Sequence, residues 1–186
     1  MSAEPTPPHS QFSLLGTRRF APFFVTQCLG SFNDNLFKSA LVVLLTFQAT
    51  RWTTLAPEIL TNLAAGIFIL PFFLFSATAG QLADKFDKAG LARLVKLIEM
   101  LIMIVAALGF FMHSLAVLLG ALFLLGLHST LFGPVKYAIL PQHLGEDGLV
   151  GGTGLVESGT LVAILIVPLA GGLLAGAGVH PSWIAL

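Results

Sequence analysis

The sequence predicts an all-α, polytopic helical membrane protein, and two observations carry that reading. Of the 186 residues, 56% are hydrophobic and only 10% are charged, against about 25% charged in a soluble domain. The apolar residues come in runs of about 20 or more, the length an α-helix needs to cross a bilayer. The mean hydropathy of +0.92 agrees. The balanced charge, with no basic patch interleaved with aromatics, gives no sign of a nucleic-acid partner. A single cysteine, Cys28, makes no internal disulfide and reads as a small apolar filler.

Residues 1–19 are expected to form a disordered cytoplasmic N-terminus, polar and Pro-rich as far as Thr17, ending in Arg18 and Arg19. The apolar stretch that follows is too long for a signal-peptide core and lacks a small-residue cleavage site, so it reads as an uncleaved first span. Five spans are expected: Phe20–Phe47, Ile59–Gln81 with Pro71 inside, Leu94–Met112, Ser114–Phe132, and Gly151–Ala177 with Pro168 inside. Gly133-Pro134 is expected to end or kink the fourth. A sixth apolar run starts at Trp183 and reaches Leu186, so residues 20–186 read as part of a larger membrane domain. No repeat of 20–50 residues is visible. If the spans alternate, Arg18, Arg19, Lys85, Lys88, Arg93, Lys96 and Lys136 fall on one side and Arg51 alone on the other. Positive charge stays inside, so the N-terminus is expected to be cytoplasmic.

The first span carries the chemistry. Gln27, Ser31, Asp34 and Lys38 are spaced four, three and four apart and share one helix face, flanked by Asn35. Asp34 lies roughly 20 Å into the helix at 1.5 Å per residue. A charge at that depth costs about 2.5–3.5 kcal/mol even on lenient scales and marks a cavity or a partner. The stripe therefore reads as the lining of a substrate path. The alternative is an Asp34–Lys38 pair that neutralises itself and glues helices together. Glu157, inside the fifth span, is the second intramembrane acid, with Lys136 as its expected partner; the alternative is a glutamate that snorkels to the interface. Glu99 reads as an interfacial partner of Lys96, three residues earlier.

Other patterns carry less. Gly152-Thr-Gly154 is followed by Glu157 where a phosphate loop needs glycine, and no strand precedes it; the glycines of the fifth span, Gly172-xxx-Gly176 included, read as small residues for close helix packing. His9, His113, His128, His143 and His180 lack metal-ligand spacing. No catalytic constellation, metal site or cofactor site is expected. His143 and Asp147 are one residue too close for the H-x-x-x-x-D motif of glycerolipid acyltransferases.

The segment Gly80-Gln-Leu-Ala-Asp-Lys-Phe-Asp-Lys-Ala-Gly-Leu-Ala-Arg93 resembles the signature between helices two and three of the major facilitator superfamily. Gly80, Leu82, Ala83 and Asp84 match, with Lys85, Lys88 and Arg93 as its basic residues. Asp87 stands where that pattern has glycine, which bears on the tight turn. Gly80 is expected to allow close helix approach, and Asp84 to cap a helix or pair with a base. Three strings narrow the resemblance: Gln27-Cys-Leu-Gly-Ser-Phe-Asn-Asp-Asn-Leu-Phe-Lys38, Gly133-Pro-Val-Lys-Tyr-Ala-Ile-Leu140, and Gly154-Leu-Val-Glu-Ser-Gly-Thr160 with Ala170-Gly-Gly-Leu173. In that order they resemble the bacterial lysophospholipid transporter family, above all its branch fused to an acyltransferase and acyl-carrier-protein synthetase.

The resemblance implies the N-terminal lobe of a twelve-helix transporter that moves lysophospholipids to the inner leaflet of the inner membrane for re-acylation. It further implies a C-terminal lobe and an acyltransferase domain or partner. Asp34, Asn35, Lys136 and Glu157 match its motif positions. The physics runs the same way, because a zwitterionic head group needs an acid and a base along its path. A generic major-facilitator exporter or proton symporter, using Asp34 or Glu157, is the alternative. The membrane domain of an acyltransferase fusion is another, and a truncated protein without function a third.

Overall fold

The computed structural model describes residues 11–48, 50 and 53–176. Among these there is no strand, and five long helices follow a short 3-10 helix at Gln11–Gly16: α1 Ala21–Phe47, α2 Pro57–Lys85, α3 Lys88–Phe111, α4 Leu115–His143 and α5 Glu146–Gly176. Arg51, residues 1–10 and the sixth apolar run lie outside the described residues, as does the packing around Gly172 and Gly176.

Four of the helices, α2 to α5, are long and apolar enough to cross a membrane. Most of their apolar surface faces outward: Phe73 is 82% exposed, Phe111 84% and Leu165 69%. An apolar belt of that extent has no place in water and fits hydrocarbon. α1 is as long, with 27 residues, but Gln27, Ser31, Asn33, Asp34, Asn35 and Lys38 interrupt its apolar run. Of the five expected spans, four are therefore long and apolar enough to cross a membrane, and the first is a helix of mixed polarity.

Two elements differ from expectation. The fourth helix does not end at Gly133-Pro134; α4 runs on through Pro134 and Pro141 to His143. Proline removes one backbone donor, but the flanking turns carry buried Val135, Lys136, Ile139 and Leu140, whose packing holds the helix together. The N-terminal segment is not featureless either. Gln11–Gly16 form the 3-10 helix, and Leu14 and Leu15 pack on Phe20, Leu140, Leu144, Leu155 and Val156.

The α2–α3 connection shrinks to Phe86 and Asp87. Asp87 serves as the N-cap of α3 at φ −57, its carboxylate accepting from Gly90 N at 2.7 Å. The turn needs no positive φ, so aspartate replaces glycine here without strain. Asp84, expected to cap or pair, is exposed, and among the described residues it makes no ion pair and caps no helix; Asp87 does the capping. Gly80 meets nothing, so the expected close approach is absent there, while Ala79 and Ala83 are buried instead. At the α3–α4 turn His113 takes a left-handed φ of 52, and the Ser114 hydroxyl caps α4 by accepting from Val117 N.

α4 packs between α2 and α3, and α1 lies mainly against α5. One apolar cluster joins α1 to α4, through Phe37, Leu41, Leu45, Leu60, Leu118 and Leu125 among others. The second gathers Phe20 with the end of α4 and the start of α5. Along α1 the two clusters begin at Phe20 and Phe37, and the polar stripe lies between them.

Candidate functional site

The stripe of α1 opens into a cavity of about 180 Å³ between α1, α3, α4 and α5, lined by Gln27, Ser31, Asp34, Asn35, Lys38 and Lys136, with Lys96, His128, Ser129, Phe132 and Thr160 among the rest. Six of the seven residues singled out from sequence meet there. The seventh, Glu157, holds one of them.

The polar groups are tied in a defined order. Gln27 Nε2 donates to Ser31 Oγ at 3.4 Å, and Asn35 Nδ2 to the Ser31 carbonyl at 2.8 Å. Ser31 Oγ lies 3.5 Å from Thr160 Oγ1 on α5. α5 comes this close because Gly159 faces α1, where a Cβ would collide with the Cys28 sulfur. Gly152 likewise faces Leu144, so two glycines of α5 serve close packing, whereas Gly154 meets nothing.

The expected Lys136–Glu157 pair forms, Nζ to Oε1 at 2.7 Å. Tyr137 OH donates to the same oxygen at 2.8 Å. Glu157 keeps 39% of its side chain exposed against 11% for Lys136, so the pair is half open. The Asp34–Lys38 pair does not form. Lys38 instead places Nζ 4.7 Å from the centre of the Phe68 ring, and Asp34 Oδ1 is buried without a hydrogen-bond partner. This acid and this base, one turn apart on one helix, both stay open to the cavity.

The expected Lys96–Glu99 pair also forms, and what the sequence did not show is its setting. Glu99 is buried inside the bundle, 5% exposed, and accepts from Lys96 Nζ at 2.7 Å. His128 Nε2 lies 3.3 Å from the same carboxylate, close enough for charge contact but without hydrogen-bond alignment. Lys96 Nζ stands 4.5 Å from the centre of the Phe132 ring, on which His128 also stacks. Gly30 makes room for this group, since a Cβ there would meet Lys96 Nζ and the Glu99 carboxylate. α3 starts at Lys88 rather than Leu94, so Lys96 lies two turns inside it. A glycine in the middle of a polar helix face was the available signal. All three lysines of the cavity sit over an aromatic ring, Lys136 over Tyr137 at 4.7 Å. Such contacts hold a cation in place at low dielectric.

Of the Gly80–Arg93 segment, Ala92 and Arg93 reach a described cavity. That neighbouring apolar slot of about 260 Å³ is lined by Pro22, Phe23, Thr26, Ala92 and Arg93 together with Gln27, Lys96 and Phe132. Among the described residues no group of three or more His, Cys, Asp or Glu could hold a metal ion.

An apolar helical bundle around a buried cavity of paired and unpaired charges defines a membrane transport protein, and the family comparison agrees. The model of the Major Facilitator Superfamily matches residues 23–186, and the chain belongs to that family as a multi-pass membrane protein. Among curated proteins it is similar to the lysophospholipid transporter LplT of Cronobacter sakazakii, 30% identical over 164 residues, 87% of this chain and 38% of that protein. LplT of Escherichia fergusonii is 31% identical over 151 residues, 81% of this chain and 35% of that protein. LplT of Enterobacter sp. is 32% identical over 149 residues, 80% of this chain and 34% of that protein. The chain spans about a third of the length of these relatives. No solved structure matches it.

Proposed function

We propose that this chain is the N-terminal lobe of a lysophospholipid transporter of the bacterial inner membrane, with its N-terminus in the cytoplasm. It would carry lysophospholipids from the outer to the inner leaflet, where an acyltransferase and acyl-carrier-protein synthetase, as a fused domain or a partner, re-acylates them. The C-terminal lobe supplies the other wall of the path. The observation that carries the reading is the split acid and base of α1: Asp34 and Lys38 line one cavity without a direct ion pair between them. A dipolar head group satisfies both at once, while its acyl chain stays among apolar side chains. The names of the similar proteins point to the same substrate class. Gln27, Ser31, Asn35, Lys136 and Glu157 complete the path, and Gly80–Arg93, the facing ends of α2 and α3 with the Phe86-Asp87 turn between them, forms the gating segment.

The test is uptake of labelled lysophosphatidylethanolamine by membrane vesicles carrying the complete transporter. Asp34→Asn and Glu157→Gln each abolish uptake while the protein remains inserted. Normal uptake in both would sink the assignment of the path. A second reading, a proton-coupled symporter of another small molecule, is favoured by the unpartnered Asp34 Oδ1. Uptake that collapses with the pH gradient and ignores lysophospholipids would select it.

A further inference from the structure

Three residues line both chambers and stand where they meet: Gln27, Lys96 and Phe132. On one side is the polar cavity with Asp34 and Lys38. On the other is the slot walled by Pro22, Phe23 and Ala92. Neither chamber alone reaches the roughly 300–1,000 Å³ of ordinary ligand pockets, and the two together do. A single-chain amphiphile in this double site has its head in the first and the start of its chain in the second, so its glycerol segment lies at the junction.

The junction is chemically specific. Gln27 is 6% exposed. Its amide nitrogen is committed to Ser31, which leaves Oε1 as a buried acceptor without a donor. An orphan acceptor carries an uncompensated desolvation penalty, and a ligand hydroxyl at that point removes it. Lys96 Nζ, beside Gly30 one turn along the same face, is the cation next to it. Glu99 at 2.7 Å and the Phe132 ring at 4.5 Å fix its position.

We infer that Gln27 and Lys96 read the glycerol–phosphate segment of the ligand: Gln27 Oε1 accepts from the free glycerol hydroxyl and Lys96 takes the phosphodiester. Glu99 is then a positioning residue that acts through Lys96. The inference rests on the lysophospholipid reading and deepens it, because that hydroxyl is what distinguishes a lysophospholipid from its diacyl product. A buried acceptor rejects a ligand that cannot donate far more strongly than an apolar wall rejects an extra methylene.

The experiment compares lysophosphatidylethanolamine with its analogue lacking the glycerol hydroxyl. Binding to the complete transporter in nanodiscs and uptake into vesicles are both measured. The wild-type protein favours the hydroxyl-bearing lipid by about a hundredfold or more, the scale set by a lost buried hydrogen-bond partner. Gln27→Leu removes that preference by weakening the hydroxyl-bearing lipid alone. Lys96→Gln weakens both lipids alike, since both carry the phosphate. Equal binding of the two lipids by the wild-type protein overturns the inference, whether or not any variant folds. Equal loss of both lipids in Gln27→Leu does the same. Discriminating binding without uptake leaves the junction standing and removes the transport reading. Uptake without discrimination does the reverse, and absence of both removes both.

Discussion

Gly126 and Gly120 occupy the same helix, α4, and differ in what faces them. A Cβ at Gly126 would stand 3.2 Å from the Phe68 carbonyl carbon and 3.2 Å from Pro71 Cγ, and closer still to the Phe68 carbonyl oxygen. That wall is helix backbone and a buried proline ring, so it yields only if α2 and α4 move apart. At Gly120 nothing lies within 4 Å. Gly→Ala in a helix interior gains about 0.8–1.0 kcal/mol of propensity, and overpacking costs about 1–3 kcal/mol. The propensity gain is common to both variants and cancels in the comparison. Gly126→Ala should therefore be less stable than Gly120→Ala by about 1–3 kcal/mol, a factor of roughly 5 to 150 in the unfolding equilibrium. Reversible unfolding of the complete transporter in mixed micelles, followed by circular dichroism, measures the difference. Equal stability of the two variants would refute the reasoning, because the α2–α4 contact would then be loose enough to absorb a methyl group.

Two more expectations use the same unfolding assay. Glu99, 7% exposed at the side chain and facing both Lys96 and His128, should cost about 3–5 kcal/mol when changed to Gln, as when a buried pair loses one partner. Glu157, 39% exposed, should show a coupling to Lys136 of only about 0.6–1.7 kcal/mol in a double-mutant cycle, the range for polar contacts between membrane helices; the reverse order would mean that the burial pattern is misread. Asp87→Ala should lose about 1 kcal/mol with the cap of α3, whereas Asp87→Gly, which restores the motif residue, should lose only a few tenths. Amide exchange at Lys88–Leu91 reports that fraying directly, and unchanged protection in Asp87→Ala would remove Asp87 from the cap.

Much of the site was legible in sequence, for a local reason. Gln27, Ser31, Asp34 and Lys38 share a face because helical periodicity alone puts them there, and burial of a charge in an apolar helix is costly whatever surrounds it. The Lys136–Glu157 pair could be guessed because few cations lay within reach of a membrane acid. The Lys96–Glu99 pair was legible from its i, i+3 spacing, but its burial was not, because that depends on Gly30 of α1 and His128 of α4 packing against it. The end of the fourth helix was misplaced because the packing of Val135, Ile139 and Leu140 outweighs the cost of about 3 kcal/mol that a proline brings to a helix interior.

The sequence by itself determined that this is a bundle of membrane helices with one polar face, since hydropathy and the 3.6-residue period are properties of each segment alone. Only the tertiary structure decided that Asp34 and Lys38 stay apart. Lys38 has Phe68 of α2 to rest on, and Asp34 looks instead into the space that α3, α4 and α5 enclose. Which ring stands opposite a lysine depends on how helices far apart in sequence pack together. No single helix encodes that.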